Sequence, residues 1–225
     1  AVAVGIALSV SGLIMQTVFR NPLAGPFVLG ISSGASLGVA LVIIGFQSVG
    51  WLSGFAILSD WTVVGAALLG SGLVLLTLLM VSTRVKDIMT ILILGILFSS
   101  SVSAIVSILQ YFSPEGALKS YVIWTMGNLS NVSGSQLVIL WISTLAGVII
   151  ALLNGKGLNI MLLGEQYAQT TGTNIFTFRL FIFLATSLLA GSVTAFCGPI
   201  GFIGIAVPHI VRLMFKTTNH FILIP

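Results

Sequence analysis

From Ile88 to Tyr111 the chain runs without one charged side chain, and stretches of the same character recur along most of its length. An apolar run of ~20 residues crosses the hydrocarbon layer as a helix, which satisfies its own backbone polar groups where no water can. With 57% hydrophobic residues, 5% charged residues and a mean hydropathy of +1.21, the sequence reads as an all-α polytopic membrane bundle. Its length holds about seven spans with short loops. We place them at 1–19, 30–46, 61–82, 88–111, 137–153, 176–195 and 201–215, the last free to begin slightly earlier.

The breaks between spans carry their own signals. Pro22 and Pro26 remove backbone donors and bias the residues before them away from helix, so 20–26 ends the first span and forms a short structured loop. Gly30, Gly34 and Gly38, four residues apart, offer a flat face for close helix packing. Arg20, Arg84, Lys86, Lys156, Arg179, Arg212 and Lys216 fall on alternate loops or their edges, and Lys119 stands alone on the other side. That asymmetry puts 154–179 in the cytoplasm and residue 1 near the outer face. It also explains the net charge of +4 without a nucleic-acid partner, because the cations are dispersed.

Outside lie 47–60, with Trp51 and Trp61 suited to the headgroup belt, and 112–136, where Tyr121 to Trp124 read as a short interfacial helix. Asn128-Leu129-Ser130 and Asn131-Val132-Ser133 spell glycosylation acceptors, a pattern short enough to recur by chance. Cys197 has no cysteine to pair with, and with only His209 and His220 beside it there is no ligand set for a metal. The chain opens inside an apolar helix with neither an initiator Met nor a signal-peptide basic region, and we expect truncation at both ends.

The four acids, Asp60, Asp87, Glu115 and Glu165, all fall in loops or at span edges. Ion-coupled transporters bind their coupling ion with ionisable groups inside the bundle, so this arrangement argues against one. The sequence also lacks a phosphate-binding loop, the nearest fragment being Gly155-Lys156-Gly157, and energy has to come from a partner. Attention therefore falls on 154–179, the longest interval that a bilayer would not accept. Ile160, Leu163 and Tyr167 share one face of an expected short helix, with Glu165, Gln166 and Gln169 on the others. Gly172 ends it in a left-handed conformation, and Thr173 or Asn174 caps the next helix. Two readings fit this pattern: an amphipathic helix resting on lipid, or a docking knob for a soluble motor.

Several blocks resemble the FecCD family, the permease subunits of ABC importers for iron-siderophore complexes, haem and cobalamin. They are Arg20-Asn21-Pro22-Leu23-Ala24; Leu29-Gly30-Ile31-Ser32-Ser33-Gly34-Ala35; Leu163-Gly164-Glu165 with Ala168 and Gly172; and Gly198 to Gly204 continued through Val207-Pro208-His209-Ile210-Val211-Arg212. They occur in the family's order across nearly the whole chain. The resemblance implies a type II ABC importer permease of ten helices, of which residues 1–225 supply about seven as a single transmembrane domain. It also implies a homodimer or a pairing with a paralogous permease, an ABC ATPase that binds ATP and Mg, an extracytoplasmic substrate-binding protein and an inner-membrane location.

By the same resemblance the ATPase-coupling element is Leu163, Gly164, Glu165, Gln166, Tyr167, Ala168 and Gly172. The cytoplasmic gate is Asn21 and Leu23 in one loop with Ile88 and Met89 in another, where apolar side chains close a constriction by dewetting. No catalytic residue, bound cofactor or metal is expected in this chain. Gly25 stands where the family commonly has an acid, Thr171 where an apolar residue usually precedes the glycine, and 217–221 replaces a more usual Gly-x-Asp-His-Arg run. Apart from the family, Pro208-His209 reads as a kink with a hydrogen-bonded histidine. Gly198, Gly201 and Gly204 read as close-packing positions, and Gln16 and Gln110 as cross-helix bonding groups. The expected function is import of an iron chelate. A cobalamin permease, an ion-coupled carrier and a plain membrane anchor are the alternatives, and the glycines and prolines that break so many spans disfavour the anchor.

Overall fold

Apolar run length decides where the helices lie. The computed structural model describes residues 1–45, 60–85, 87–130, 132 and 134–225, and among them there is no strand. In chain order the helices are α1 (Val2–Val18); α2 (Ile31–Ala40), widening into a π turn at Leu41–Gly45; α3 (Asp60–Arg84); α4 (Ile88–Tyr111); α5 (Glu115–Thr125); and α6 (Gly134–Leu153). Then come α7 (Gly155–Met161), α8 (Glu165–Thr170), α9 (Ile175–Thr186), a second π turn at Ser187–Gly191, α10 (Ser192–Cys197), α11 (Ile203–Phe215) and α12 (His220–Leu223). Four helices are long and apolar enough to cross a membrane: α3, α4, α6 and the continuous Ile175–Cys197 rod. The shorter apolar helices Val2–Val18, Ile31–Gly45 and Ile203–Phe215 complete the seven expected positions. Phe46, the end of the expected second span, Trp51 and the rest of 46–59, Lys86, Asn131 and Ser133 lie outside the described residues.

Burial separates inner from outer helices. In Ile175–Cys197, 67% of the most apolar window is buried, against 22–28% in α3, α4 and α6. α1 is enclosed almost all round from Ala7 to Val18, and it packs against α6, α7, α9 and α11. A helix that is apolar on every face belongs inside a bundle, and α1 occupies that place.

The inner contacts run through glycine. A Cβ on Gly12 of α1 would lie 1.8 Å from the Gly204 carbonyl oxygen of α11, so the two backbones touch. Pro208 lacks the N–H that would bond this carbonyl, which leaves Gly204 O free to face α1. One turn further on, Gln16 Nε2 donates to Ile205 O at 3.1 Å, and Arg212 Nη1 donates to Gln16 Oε1 at 3.0 Å. Gln16 therefore bonds across helices as expected. His209 is exposed and its ring takes no part in the described side-chain hydrogen bonds, so the side-chain donor near the kink is Gln16. In the second glycine contact, a Cβ on Gly70 of α3 would lie 2.0 Å from Gly34 O, and one on Gly38 would lie 2.2 Å from Ala66 O. Gly30 does not join that face: at φ 79° it makes the left-handed corner that opens α2.

Two interruptions fold back into the bundle. A Cβ on Gly204 would sit 2.8 Å from Pro26 Cδ, and one on Gly95 would sit 2.5 Å from Val28 O. Gly95 is two turns inside α4, so the loop after α1 re-enters the membrane by ~10 Å before α2 starts. Non-helical backbone survives at such depth because protein covers it. At the outer end, Gly198 (φ 75°) packs on Trp124 O, and the Asn128 N–H donates to Cys197 O at 2.7 Å. Phe202 also takes a positive φ, which delays α11 to Ile203, later than the expected start; Gly201 has nothing within 4 Å of its Cβ position and is no packing site. Asn128 Oδ1 accepts from the Ser130 N–H and hydroxyl, a local turn. α5 extends beyond the expected interfacial helix, and Tyr121 Oη bonds Ser36 Oγ of α2.

A buried polar knot closes the C-terminal end of α1. Asn159 Nδ2 donates to Asn219 Oδ1, which fixes its amide; its Oδ1 then accepts from the His220 backbone N–H and from the ring Nδ1 at 2.6 Å. The ring's other nitrogen, Nε2, lies 2.8 Å from the Thr17 hydroxyl, which also reaches Leu13 O at 2.9 Å. Burial, and then the nearby Arg212 charge, pull the His220 pKa from 6.5 down to about 4.

Two outcomes follow from these contacts. Gly70→Val should drive a side chain into the α2 backbone and cost about 2 kcal/mol or more of thermal stability in detergent, whereas Gly65→Ala, with open space at its Cβ, should be neutral. For His220, the unfolded chain takes up a proton as pH falls below 6.5 while the folded protein refuses it until about 4. Stability should therefore decline as pH drops through that window and level off below it, and His220→Gln should flatten the slope in pH-dependent melting.

Candidate functional site

The polar interval after α6 is a pair of short helices rather than one. The expected helix carrying Ile160, Leu163 and Tyr167 on one face breaks at Leu162–Gly164, because Gly164 adopts φ 110° and caps α8. Ile160 stays on α7, Leu163 lies in the turn and Tyr167 belongs to α8. α7 is an anchor. Leu158 and Met161 are buried in the main core, while Gly155 and Gly157 admit the rings of Phe221 and Phe178, which a Cβ would approach to 3.0 and 2.7 Å. Asn159 ties it to His220 through the knot described above.

α8 stands on this anchor. Ala168 is its fully buried contact, whereas Leu163 and Tyr167 are 64% and 52% exposed, with Gln166 and Gln169 exposed beside them. The Gly172 N–H bonds Gln169 O and the Thr173 N–H bonds Ala168 O, with Gly172 at φ 82°. This double closure at a left-handed glycine ends α8 as the sequence predicts. Asn174 Oδ1 then accepts from the Thr177 N–H, and of the two expected caps for the next helix it is the one used. Leu163 in the turn and Tyr167 on the clamped six-residue helix, both held outward, form a surface that a second molecule can cover.

The two loops expected to form the gate are each set by a local bond. Asn21 Oδ1 accepts from the Leu23 N–H at 2.9 Å, while its own N–H donates to Gln16 O at 3.1 Å, and Leu23 projects with 72% exposure. In the second loop Asp87 caps α4, accepting from the Met89 N–H, the Thr90 N–H and the Thr90 hydroxyl. The Thr90 hydroxyl and Met89 amide hold this carboxyl below its usual pKa. Ile88 turns into the core, and Met89 faces out.

The charges join these parts. Arg179, only 3% exposed in the first turns of α9, donates from Nη2 to Glu165 Oε1 at 2.6 Å and from Nη1 to Val85 O at 3.1 Å. Arg20 lies over the turn on the other side, its Nη1 3.3 Å from where a Cβ on Gly164 would be. By sequence Arg179 is a marker of topology alone, Arg212 is such a marker and the end of a family block, and Asn159 carries no signal of its own. A guanidinium one turn inside an apolar helix was the available signal, since such a charge requires a partner. Asp87-Ile88-Met89-Thr90 likewise carried a helix-start pattern.

Comparisons agree with this architecture. All of residues 1–225 match the sequence model of the FecCD transport family. The hemin transport system permease protein HmuU of Yersinia pestis is 36% identical over 225 residues, covering 99% of this chain and 66% of that protein. The vitamin B12 import system permease protein BtuC of Klebsiella pneumoniae is 34% identical over 222 residues, covering 99% and 64%. A solved structure described as "an inward-facing conformation of a putative metal-chelate type ABC transporter" superposes with a TM-score of 0.86 at 29% identity, covering 99% of this chain and 68% of its own. The chain spans somewhat less than two thirds of the length of these curated relatives. Its apolar helices and these relatives make it a multi-pass inner-membrane protein with the fold of an ABC importer permease. Motif order, helix pattern and full-length match lead to one conclusion: the chain belongs to the FecCD transport family.

Proposed function

We propose that this chain is the membrane permease of an ATP-driven importer, which receives a bulky chelate from an extracytoplasmic binding protein and releases it into the cytoplasm. The observation that carries this reading is the clamped α8 helix and the turn before it, which present Tyr167 and Leu163 outward while α8 is wired to the loop that starts α4. ATP and Mg belong to a separate ATPase, and α8 seats in a groove of that subunit. The cargo is an iron chelate, siderophore or haem; a cobalamin cargo is supported equally, since relatives named for hemin and for vitamin B12 match the chain to nearly the same degree.

One face of α4 supplies the path. Met89, Ile93, Ile96, Ser100, Ser103 and Ser107 follow one another at three- and four-residue steps, and all are exposed. Hydroxyls on the outer face of a membrane helix gain nothing from lipid, so this stripe faces an aqueous cavity or a second permease. Met89 lies at its cytoplasmic end, and with Leu23 it forms an apolar constriction that closes by dewetting, Asn21 and Ile88 fixing the two loops from behind. The acids remain at helix ends, Asp60 and Glu115 opening α3 and α5, Asp87 capping α4 and Glu165 opening α8, so this chain offers no intramembrane carboxylate for a coupling ion.

Expression of the full-length protein with its neighbouring genes should yield a complex containing an ATPase, with uptake that depends on ATP. Leu163→Asp combined with Tyr167→Asp should lower copurified ATPase and uptake by ~10-fold or more, as charge enters an apolar contact. Uptake that persists in vesicles lacking the ATPase and runs on a proton gradient would overturn the reading.

A further inference from the structure

We infer that Glu165 works inward rather than toward the ATPase, and that Arg179 is a positioning residue which makes α8 and the turn that starts α4 one mechanical unit. The inference rests on the permease reading above and specifies how its docking surface is built.

Three observations carry it. First, the Arg179 guanidinium is buried and divided between two segments, one nitrogen on Glu165 of α8 and the other on the Val85 carbonyl just beyond α3. Its planar fork presents two nitrogens at fixed separation, one to each acceptor, whereas lysine offers a single nitrogen on a flexible stem. Second, the held carbonyl is two residues from Asp87, whose carboxylate caps α4 and sets the direction of Met89. Third, Glu165 is the acid of α8 and is engaged within the chain, so the exposed side chains of the helix pair's turn and α8 are Leu163, Gln166, Tyr167, Gln169 and Thr170, all neutral, with Arg20 the cation beside the turn at Gly164. The partner groove that fits this surface is apolar with amide-matching hydrogen-bond groups; an exposed cation at its edge adds little to the contact, so association depends little on salt. A push on α8 reaches Met89 through Glu165, Arg179, Val85 and Asp87.

The test uses the full permease–ATPase complex carrying Cys197→Ser and Met89→Cys, probed with a membrane-impermeant maleimide in inside-out vesicles. ATP–vanadate trapping should change the labelling rate at position 89 by roughly tenfold. Arg179→Lys and Glu165→Gln should each reduce that change to about twofold or less while the ATPase still copurifies, and Glu165→Asp should restore it in part. The reference complex should also stay assembled at about 1 M salt, where the Debye length is ~3 Å. Arg179→Lys and Glu165→Gln complexes that respond to trapping like the reference would overturn the strut, and dissociation of the reference complex by salt would overturn the neutral docking face. A reference complex that copurifies no ATPase or never responds to nucleotide would instead overturn the permease reading, and the strut with it.

Discussion

A bilayer offers no hydrogen bonds to a broken backbone, and this chain breaks its backbone repeatedly, so each break has to be covered from within. The contact on which the others depend is the approach of α1 to α11 at Gly12 and Gly204, where the carbonyl freed by Pro208 lies against bare α1 backbone. Because those helices touch, Pro26 can fit beside Gly204 and Gln16 can reach Ile205 O. The re-entrant loop is held by that fit, and Asn21 and Leu23 take their places from the loop. A side chain at either glycine would separate the helices and leave the interrupted backbone exposed to lipid.

Charge is distributed by the same rule. Where guanidinium groups enter the protein they are held by partners from other segments: Arg212 on Gln16, Arg179 on Glu165 and Val85 O. Burying such a group costs more than a surface pair returns, so its presence says little about stability. Its effect is geometric. Arg179 removes the independence of two segments outside the long helices, and the His220 knot does the same for α7, α1 and α12. The soluble face of the protein is therefore assembled from short pieces that cannot move separately without stranding a buried polar group.

How much of this was legible depended on the distance over which each signal acts. Span positions followed from run length, which is local, and α4 falls at Ile88–Tyr111 as read. The Gly172 stop and the Asn174 cap were local too, and both are present. Pairings across the fold were not legible: Gln16 meets a carbonyl 189 residues away, Thr17 meets His220 across 203, and Arg179 meets Val85 across 94. Periodicity joined Ile160, Leu163 and Tyr167 into one helix because it has no means of registering a φ of 110° at Gly164. Equal spacing likewise grouped Gly201 with Gly198 and Gly204, although only the latter two meet a neighbour that forbids a side chain.

The serine stripe bears on why one scaffold serves chemically different cargo. The hydroxyls of Ser100 and Ser107 donate to the carbonyls of Ile96 and Ser103 one turn back, so each offers a passing molecule lone pairs but no free proton. A wall of this kind is polar enough to wet, yet it binds nothing tightly, and conduction requires sites that release as readily as they accept. Stronger recognition here would slow release and would tie the path to one ligand's pattern of donors. In the proposed importer discrimination therefore belongs to the extracytoplasmic binding protein, and relatives named for hemin and for vitamin B12 can keep similar identity to this chain without a dedicated ligand cage in the membrane.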